Sequence, residues 1–327
     1  MRTVACPVLP RLDAMTVTSP YADALERVPV REEEVGILGS TTRYWDYGER
    51  DAATTLVLVH GFRGDHHGLE PVVAQLDGVR MVSPDLPGFG ASTPMTEAAH
   101  DIHGYGRWLQ EFVAALDLGG RVVLLGHSFG SIVVAGSLAA HAGEDAVAGD
   151  DAGTGGGARP DAVVLVNPIG QPALEGPRGV FTRLAIFYYW LAAVLPERLG
   201  FALLRNRLIV RVMSITMAKT KDAALRRWIH DQHDRYFSAF SDRQVVLEAF
   251  RASVSHDVSE YAARIPEPTL LVAAEKDDIT PVAAEYRLQT LFPQAELVVI
   301  PKVGHLIHYE TPVDAARAIE RFLGERS

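Results

Sequence analysis

Apolar residues along the chain come in two arrangements. Leu56 to His60, Val79 to Ser83, Val122 to His127, Ala162 to Val166, Leu270 to Ala274 and Leu297 to Ile300 are short runs with little alternation. Such runs suit strands buried on both faces, as in a parallel sheet covered by helices on each side. Val35 to Tyr47 alternates instead and suits a β-hairpin with Gly39-Ser40 at its turn. Between these segments the spacing turns helical. Residues 101 to 117 offer Ile102, Trp108, Leu109, Phe112, Val113 and Leu116 to a core. Residues 66 to 77 (capped by Asp65), 281 to 292 and 313 to 323 read as further helices. Strands alternating with helices predict the α/β class, with a mostly parallel central sheet flanked by helices.

The alternation stops between Pro168 and Pro266. This stretch shows only helical periodicity, with bulky apolar residues such as Phe181, Leu184, Phe187, Trp190, Leu208 and Val212. It predicts an all-helical insertion over 169–265, dividing a core of 35–168 and 266–327. Either the insertion merely packs on the sheet or it forms a lid with an apolar underside, since small-molecule pockets are mostly apolar. Residues 142–160 are rich in Gly, Ala and Asp, too polar to offset their ordering entropy, and predict a mobile loop. Residues 1–34 form an irregular arm. Met15 is a plausible alternative start, so residues 1–14 carry little structural weight.

Bulk composition narrows the setting. At 327 residues and 48% hydrophobic, the chain can bury a sizeable core. Its formal charge of −10 argues against a nucleic-acid partner, although residues 178–235 carry many arginines. One cysteine, Cys6, excludes an internal disulfide and a thiolate zinc cluster, which fits a reducing cytoplasm. Met1 to Asp13 is broken by prolines and arginines, so no signal peptide is expected, and Leu184 to Leu195 is too short for a membrane span of about 20 residues.

Candidate chemistry centres on Gly126-His127-Ser128-Phe129-Gly130. An apolar strand leads in and a small-residue helix follows. That context would hold the Ser128 hydroxyl exposed on a strained turn, with glycines where side chains would collide. A serine nucleophile needs a base, an acid that orients the base, and donors for the developing oxyanion. Among twelve histidines, His305 and His308 both follow the last strand. Asp277 and Asp278 follow the strand before it. Phe129, directly after the serine, places one backbone N–H at the oxyanion. His127 should point back into the protein. Arg63 is either a substrate-anion contact or a solvated loop arginine, and Asp85 suits a buried carboxylate that ties down nearby amides. His66 and His67 would diverge on a helix, and no ligand set joins them, so no metal site is expected.

His60-Gly61-Phe62 after a strand, the loop Asp85 to Gly90, the pentapeptide around Ser128, and the C-terminal loops with Asp277 and His305 occur in one order. Together, over residues 35 to 325, they resemble the α/β-hydrolase family, and within it the capped enzymes with a helical lid after the sixth core strand. The resemblance implies His305 as base. It implies Asp277 as acid, four residues before Pro281, and Phe62 N–H as the second oxyanion donor. Some relatives carry the acid after the preceding strand, where this chain has Asn167. His127 and His308 stay as possible substrate contacts with Arg63.

Carboxylic-ester hydrolysis of a small lipophilic substrate, through an acyl-enzyme and without a cofactor, is the leading expectation. The alternative is a carbon-carbon hydrolase of dienol-ketones, or a menaquinone-type enzyme acting on a small anion, with Arg63, Arg183, Arg205, Arg207 and Arg211 as carboxylate binders. A non-catalytic ligand receptor is the third reading, because fold alone does not settle function.

Overall fold

The unbroken apolar runs become strands, all but the last of them, at the sheet's edge, buried inside the sheet. In the computed structural model, which describes residues 17–144, 159–172 and 179–325, eight strands form one sheet in the order β1-β2-β4-β3-β5-β6-β7-β8. They are β1 (Val30–Ile37), β2 (Ser40–Tyr47), β3 (Thr54–Val59), β4 (Arg80–Pro84), β5 (Arg121–His127), β6 (Ala162–Val166), β7 (Thr269–Ala274) and β8 (Ala295–Ile300). Only β2 pairs antiparallel, with β1 and β4; the remaining pairings are parallel. The helices of eight residues or more are α1 (Ile102–Ala115), α2 (Phe129–Glu144), α3 (Gly179–Val194), α4 (Glu197–Leu204), α5 (Arg207–Met217), α6 (Ala223–Tyr236), α7 (Arg243–Ser255), α8 (Val282–Gln289) and α9 (Pro312–Gly324).

Alternate residues of each central strand enter opposite cores. Val57, Val59 and Leu124 meet α1 and α2 on one face, while Leu56, Leu58, Val123 and Leu125 meet α9 on the other. Each such fully buried Val or Leu contributes about 1.5–3 kcal/mol relative to exposure. The sheet also fixes where the loops meet. β3 lies beside β5, whereas β4, between them in sequence, lies on the far side of β3. Val59 pairs with Gly126, and His127 pairs with Val166. The carboxyl ends of β3, β5 and β6 are therefore level at a topological switch point, the place where open α/β sheets bind ligands.

Three local expectations change. The hairpin begins at Val30 rather than Val35, because the edge strand β1 is held by charge instead of apolar burial. Arg43 bonds Glu32 and Glu34, and Arg31 reaches Asp46. Its turn is Leu38-Gly39, one residue earlier than expected, with φ of 50° and 73°; such two-residue turns need both left-handed. The helix expected over 66–77 is two single turns, His66–Gly68 and Glu70–Val73. Pro71 has no N–H to continue the first turn, so it opens the second. Asp65 does cap the first, accepting from His67 N.

Between β6 and β7 the described residues contain helices α3 to α7 and no strand. Three of these helices start at the side-chain cap their sequence offers: Asn206, Asp222 and Asp242 each accept from two backbone amides of the first turn. α2 runs on to Glu144, inside the segment expected as a loop, and most of 142–160 lies outside the described residues, as do Cys6 and the start of the chain. Among the described residues, no helix is long and apolar enough to cross a membrane.

Trp108 is fully buried, and its Nε1 donates to Thr42 Oγ1 at 3.0 Å. Thr42→Val keeps the shape but leaves the indole N–H without an acceptor. A loss of about 1–3 kcal/mol in urea unfolding is expected; coincident unfolding curves would show that the bond contributes nothing.

Candidate active site

β5 delivers the chain to Ser128 at φ 53°, a left-handed conformation that costs a non-glycine residue on the order of 1–3 kcal/mol. Neighbouring structure holds it there. Ser128 N donates to Val166 O at 3.1 Å, and Ser131 N donates back to Ser128 O at 2.9 Å. The flanking glycines are forced by close approach: a Cβ on Gly130 would lie 2.1 Å from Val59 O, and one on Gly126 would lie 2.5 Å from Gly130 O. The loop after β3 presses on the same spot, since a Cβ on Gly61 would stand 3.2 Å from Ser128 Cβ.

Three sequence candidates come into one hydrogen-bonded line. Ser128 Oγ lies 2.8 Å from His305 Nε2, and His305 Nδ1 lies 2.8 Å from Asp277 Oδ2. In the tautomer that satisfies both bonds, His305 Nδ1–H donates to Asp277 and Nε2 accepts from the serine. Asp277 Oδ1 accepts from Ile279 N and Thr280 N at 2.7 and 3.2 Å. Burial alone would raise the Asp277 carboxyl, but the charge and hydrogen bond of His305 and these two amides hold it below the usual range. Asp278 goes elsewhere: its side chain is half exposed and forms an ion pair with Lys219 of the helical insertion.

Asn167, at the end of β6, joins this line instead of standing idle. Its Nδ2 donates to Asp277 Oδ2 at 2.9 Å. Glu285 on α8 is a neighbour the sequence did not reveal, because one glutamate in a helix reads as a solvated face. It is 2% exposed, and neither carboxyl oxygen has a partner among the described residues. Burial and then the nearby Asp277 charge push it well above the usual carboxylate range.

The loops around the serine are fixed by buried polar groups. His60 accepts from Leu86 N through Nε2 at 2.8 Å and reaches Gly61 O through Nδ1 at 2.8 Å, which pins the loop after β3 to the loop after β4. Asp85 accepts from His66 N, His66 Nδ1 and Ala91 N at 2.7–2.9 Å, the amide-tying role its position suggested. Neither Phe62 N nor Phe129 N donates to a protein group among the described residues.

Arg63, by contrast, is not a solvated loop residue. It is 1% exposed, at φ 58°, and has no carboxylate partner among the described residues. Its guanidinium donates to Phe237 O (3.0 Å), Tyr189 Oη (3.3 Å) and Leu204 O (2.8 Å), and lies over the Phe237 ring. Leu204 ends α4 and Phe237 follows α6, so the cation caps two helix C-termini, where the helix dipole favours it. All three nitrogens are thereby engaged by the insertion. Phe62 beside it packs on Tyr189 and Phe250, which α3 and α7 supply.

His127 does point inward, and its ring centroid lies 4.1 Å from that of His308 and 5.7 Å from that of His305. Burial, then His305, pushes His127 down to about 3, and burial with its histidine neighbours pushes His308 well down, so both are neutral. His308 sits in a separate turn, Ile307–Glu310, rather than at the start of α9. His66 and His67 also depart from expectation. Their short turn does not splay the rings, whose centroids are 3.8 Å apart. Their Nδ1 atoms face Asp85 (2.9 Å) and Asp65 (3.2 Å), so a carboxylate set does join them. Asp65, His66 and His67 bring three potential ligand atoms within 4.8 Å of one another.

The chain matches the alpha/beta hydrolase family over residues 56–318. It is similar to a 2-hydroxy-6-oxo-6-(2'-aminophenyl)hexa-2,4-dienoic acid hydrolase of Metapseudomonas resinovorans, 25% identical over 305 residues, which cover 90% of this chain and 92% of that one. Lipase 3 of Moraxella sp. (strain TA144) is 21% identical over 280 residues, covering 84% and 80%. Among solved structures, a thermophilic esterase from Thermogutta terrifontis superposes with a TM-score of 0.68 at 20% identity, covering 90% of this chain and 98% of the esterase. With its level strand ends, mostly parallel sheet and family match over most of its length, the chain belongs to the alpha/beta hydrolase family.

Proposed function

We propose that this hydrolase cleaves carboxylic esters of lipophilic substrates, with Ser128 as nucleophile, His305 as base and Asp277 as the acid that orients it. The single observation that carries the reading is the continuous line Ser128–His305–Asp277, with both hydrogen bonds at 2.8 Å. His305 Nε2 takes the Ser128 proton as Oγ attacks the ester carbonyl. The negative charge moves to the carbonyl oxygen, where Phe62 N–H and Phe129 N–H donate to it. Collapse breaks the bond to the alcohol, which leaves with the proton from His305. Water then attacks the acyl-enzyme, giving its proton to His305, and the acid departs as Ser128 recovers its own. An ionised Asp277 keeps the imidazole in the required tautomer and stabilises the imidazolium. Each oxyanion donor is worth about 10²–10³ in rate.

The helical insertion, residues 169–265, acts as the lid over a core of 35–168 and 266–327. Support comes from Phe62, which contacts α3 and α7, and from Arg63, which contacts α3, α4 and the residue after α6. The same contacts weigh against Arg63 as a substrate-carboxylate binder. Carbon-carbon hydrolysis is the second reading, favoured by two relatives described as dienoate-type hydrolases. A single cysteine fits a cytoplasmic setting.

Short p-nitrophenyl esters should be turned over with an acyl-enzyme burst, and Ser128→Ala should remove at least about 10⁴-fold of the rate. Asp277→Asn should cost about 10⁴ in kcat, and Asp278→Asn, whose half-exposed side chain pairs with Lys219 outside that line, less than about twofold. Slow ester turnover beside rapid loss of a dienol-ketone chromophore would favour the second reading, and a crippled Asp278→Asn with an active Asp277→Asn would overturn the acid. Arg63→Met should lower kcat about tenfold or more with little change in KM, because an oxyanion donor contributes at the transition state; a change confined to KM would make Arg63 a substrate contact after all.

A further inference from the structure

Whether it packs on the sheet or forms a lid, the helical insertion needs an apolar inner face, yet many of its apolar side chains face out. Eight of the thirteen exposed large apolar side chains among the described residues fall between Leu184 and Ile215. α3 turns Leu184, Phe187 and Trp190 outward while burying Tyr189 and Ala192. α5 turns out Leu208, Val212 and Ile215, at i, i+4 and i+7, while Val210 and Ser214 face in. Leu208 is 72% exposed. Monomeric soluble proteins rarely leave apolar surface concentrated in this way without a partner.

Charge on the same helices identifies the partner. Residues 179–217, which carry α3 to α5, hold five arginines against one acid, in a chain whose formal charge is −10. The positions are also paired: Arg183-Leu184, Arg198-Leu199 and Arg207-Leu208 each set an exposed arginine beside an exposed leucine, one pair on each of α3, α4 and α5. None of these three arginines has a carboxylate partner among the described residues. Arginines alone would suit any polyanion, but a polyanion without an apolar phase gives the leucines, Phe187 and Trp190 nothing to enter. Helices with apolar residues flanked by basic ones lie in the headgroup region of anionic bilayers.

We propose that the outer face of α3 to α5 docks the protein on an anionic phospholipid surface. The apolar residues enter the acyl boundary, the arginines meet the headgroup phosphates, and the acidic remainder of the chain is repelled and faces away. Docking in this orientation sets the insertion, rather than the opposite side of the sheet, against the lipid.

The test uses full-length Ser128→Ala protein and co-sedimentation with unilamellar vesicles, so that hydrolysis plays no part and the outcome does not depend on the proposed ester chemistry. Binding is expected to phosphatidylcholine vesicles containing phosphatidylglycerol and not to phosphatidylcholine alone. Leu208→Ser/Val212→Ser and Arg198→Gln/Arg207→Gln should each weaken binding about tenfold or more, with added salt reducing the arginine-dependent part. Far-UV circular dichroism and an unfolding midpoint matching those of Ser128→Ala alone show that the surface variants fold. Absence of binding to the anionic vesicles, or equal binding by the variants, overturns the proposal. So does a dimer by light scattering that Leu208→Ser/Val212→Ser dissolves while vesicle binding is absent, which would assign the face to a second copy of the chain.

Discussion

The backbone of Ser128 is the constraint on which the rest of the site depends. Its left-handed φ of 53° is unfavourable for a serine, and the fold maintains it by packing three strand ends together. Val166 of β6 accepts the serine amide, Val59 of β3 leaves no space beside Gly130, and Gly61 abuts the serine itself. A side chain at Gly126 or Gly130 would force β3 and β5 apart or push the helix α2 away. The parallel register of β3, β5 and β6 and the geometry of the hydroxyl are thus one feature. That is why a residue so costly in conformation sits at the centre of a sheet buried on both faces.

Around that turn, the polar groups divide between fixing loops and facing the proposed chemistry. His60 and Asp85 saturate themselves on backbone amides, so the loops after β3 and β4 behave as one rigid wall. Arg63 extends the wall into the helices after β6: a buried cation that ends two of them and touches a third ties them to the residue next to a proposed oxyanion donor. On the other side, Asp277 is held by His305, Asn167 and two amides, while burial pushes the carboxyl of Glu285 close by upward. Two ionised carboxylates in so little water would repel each other. Partners hold the Asp277 carboxyl low, and burial without partners pushes that of Glu285 up.

Legibility from sequence followed the physical source of each feature. The six apolar runs became strands with ends shifted by at most two residues, five of them inside the sheet and fully or nearly fully buried, the sixth the half-buried edge strand β8. β1 was misjudged because its stability comes from Arg43, Arg31 and their carboxylates, which leave no hydrophobic period. Ser128, Asp277 and His305 were accessible through motif order, and their geometry agrees with that order. Arg63 and Glu285 were not accessible: one residue in a loop and one on a helix gain their character only from distant segments. His66 and His67 misled for the same reason, because the helix assumed for them is broken at Pro71 and their rings lie side by side at 38°. The helical periodicity between β6 and β7 was legible, but its outward apolar stripe was not, since periodicity shows that a helix has an apolar face and not where that face points.

Covalent labelling tests the central claim most directly. A fluorophosphonate probe requires a nucleophilic hydroxyl activated by a neighbouring base and oriented beside oxyanion donors, and it requires no knowledge of the natural substrate. Peptide mapping of the labelled protein should find a single adduct on Ser128, formed in the folded state and absent after heat denaturation. An adduct on another residue, or an unreactive Ser128 in the folded protein, would contradict the account.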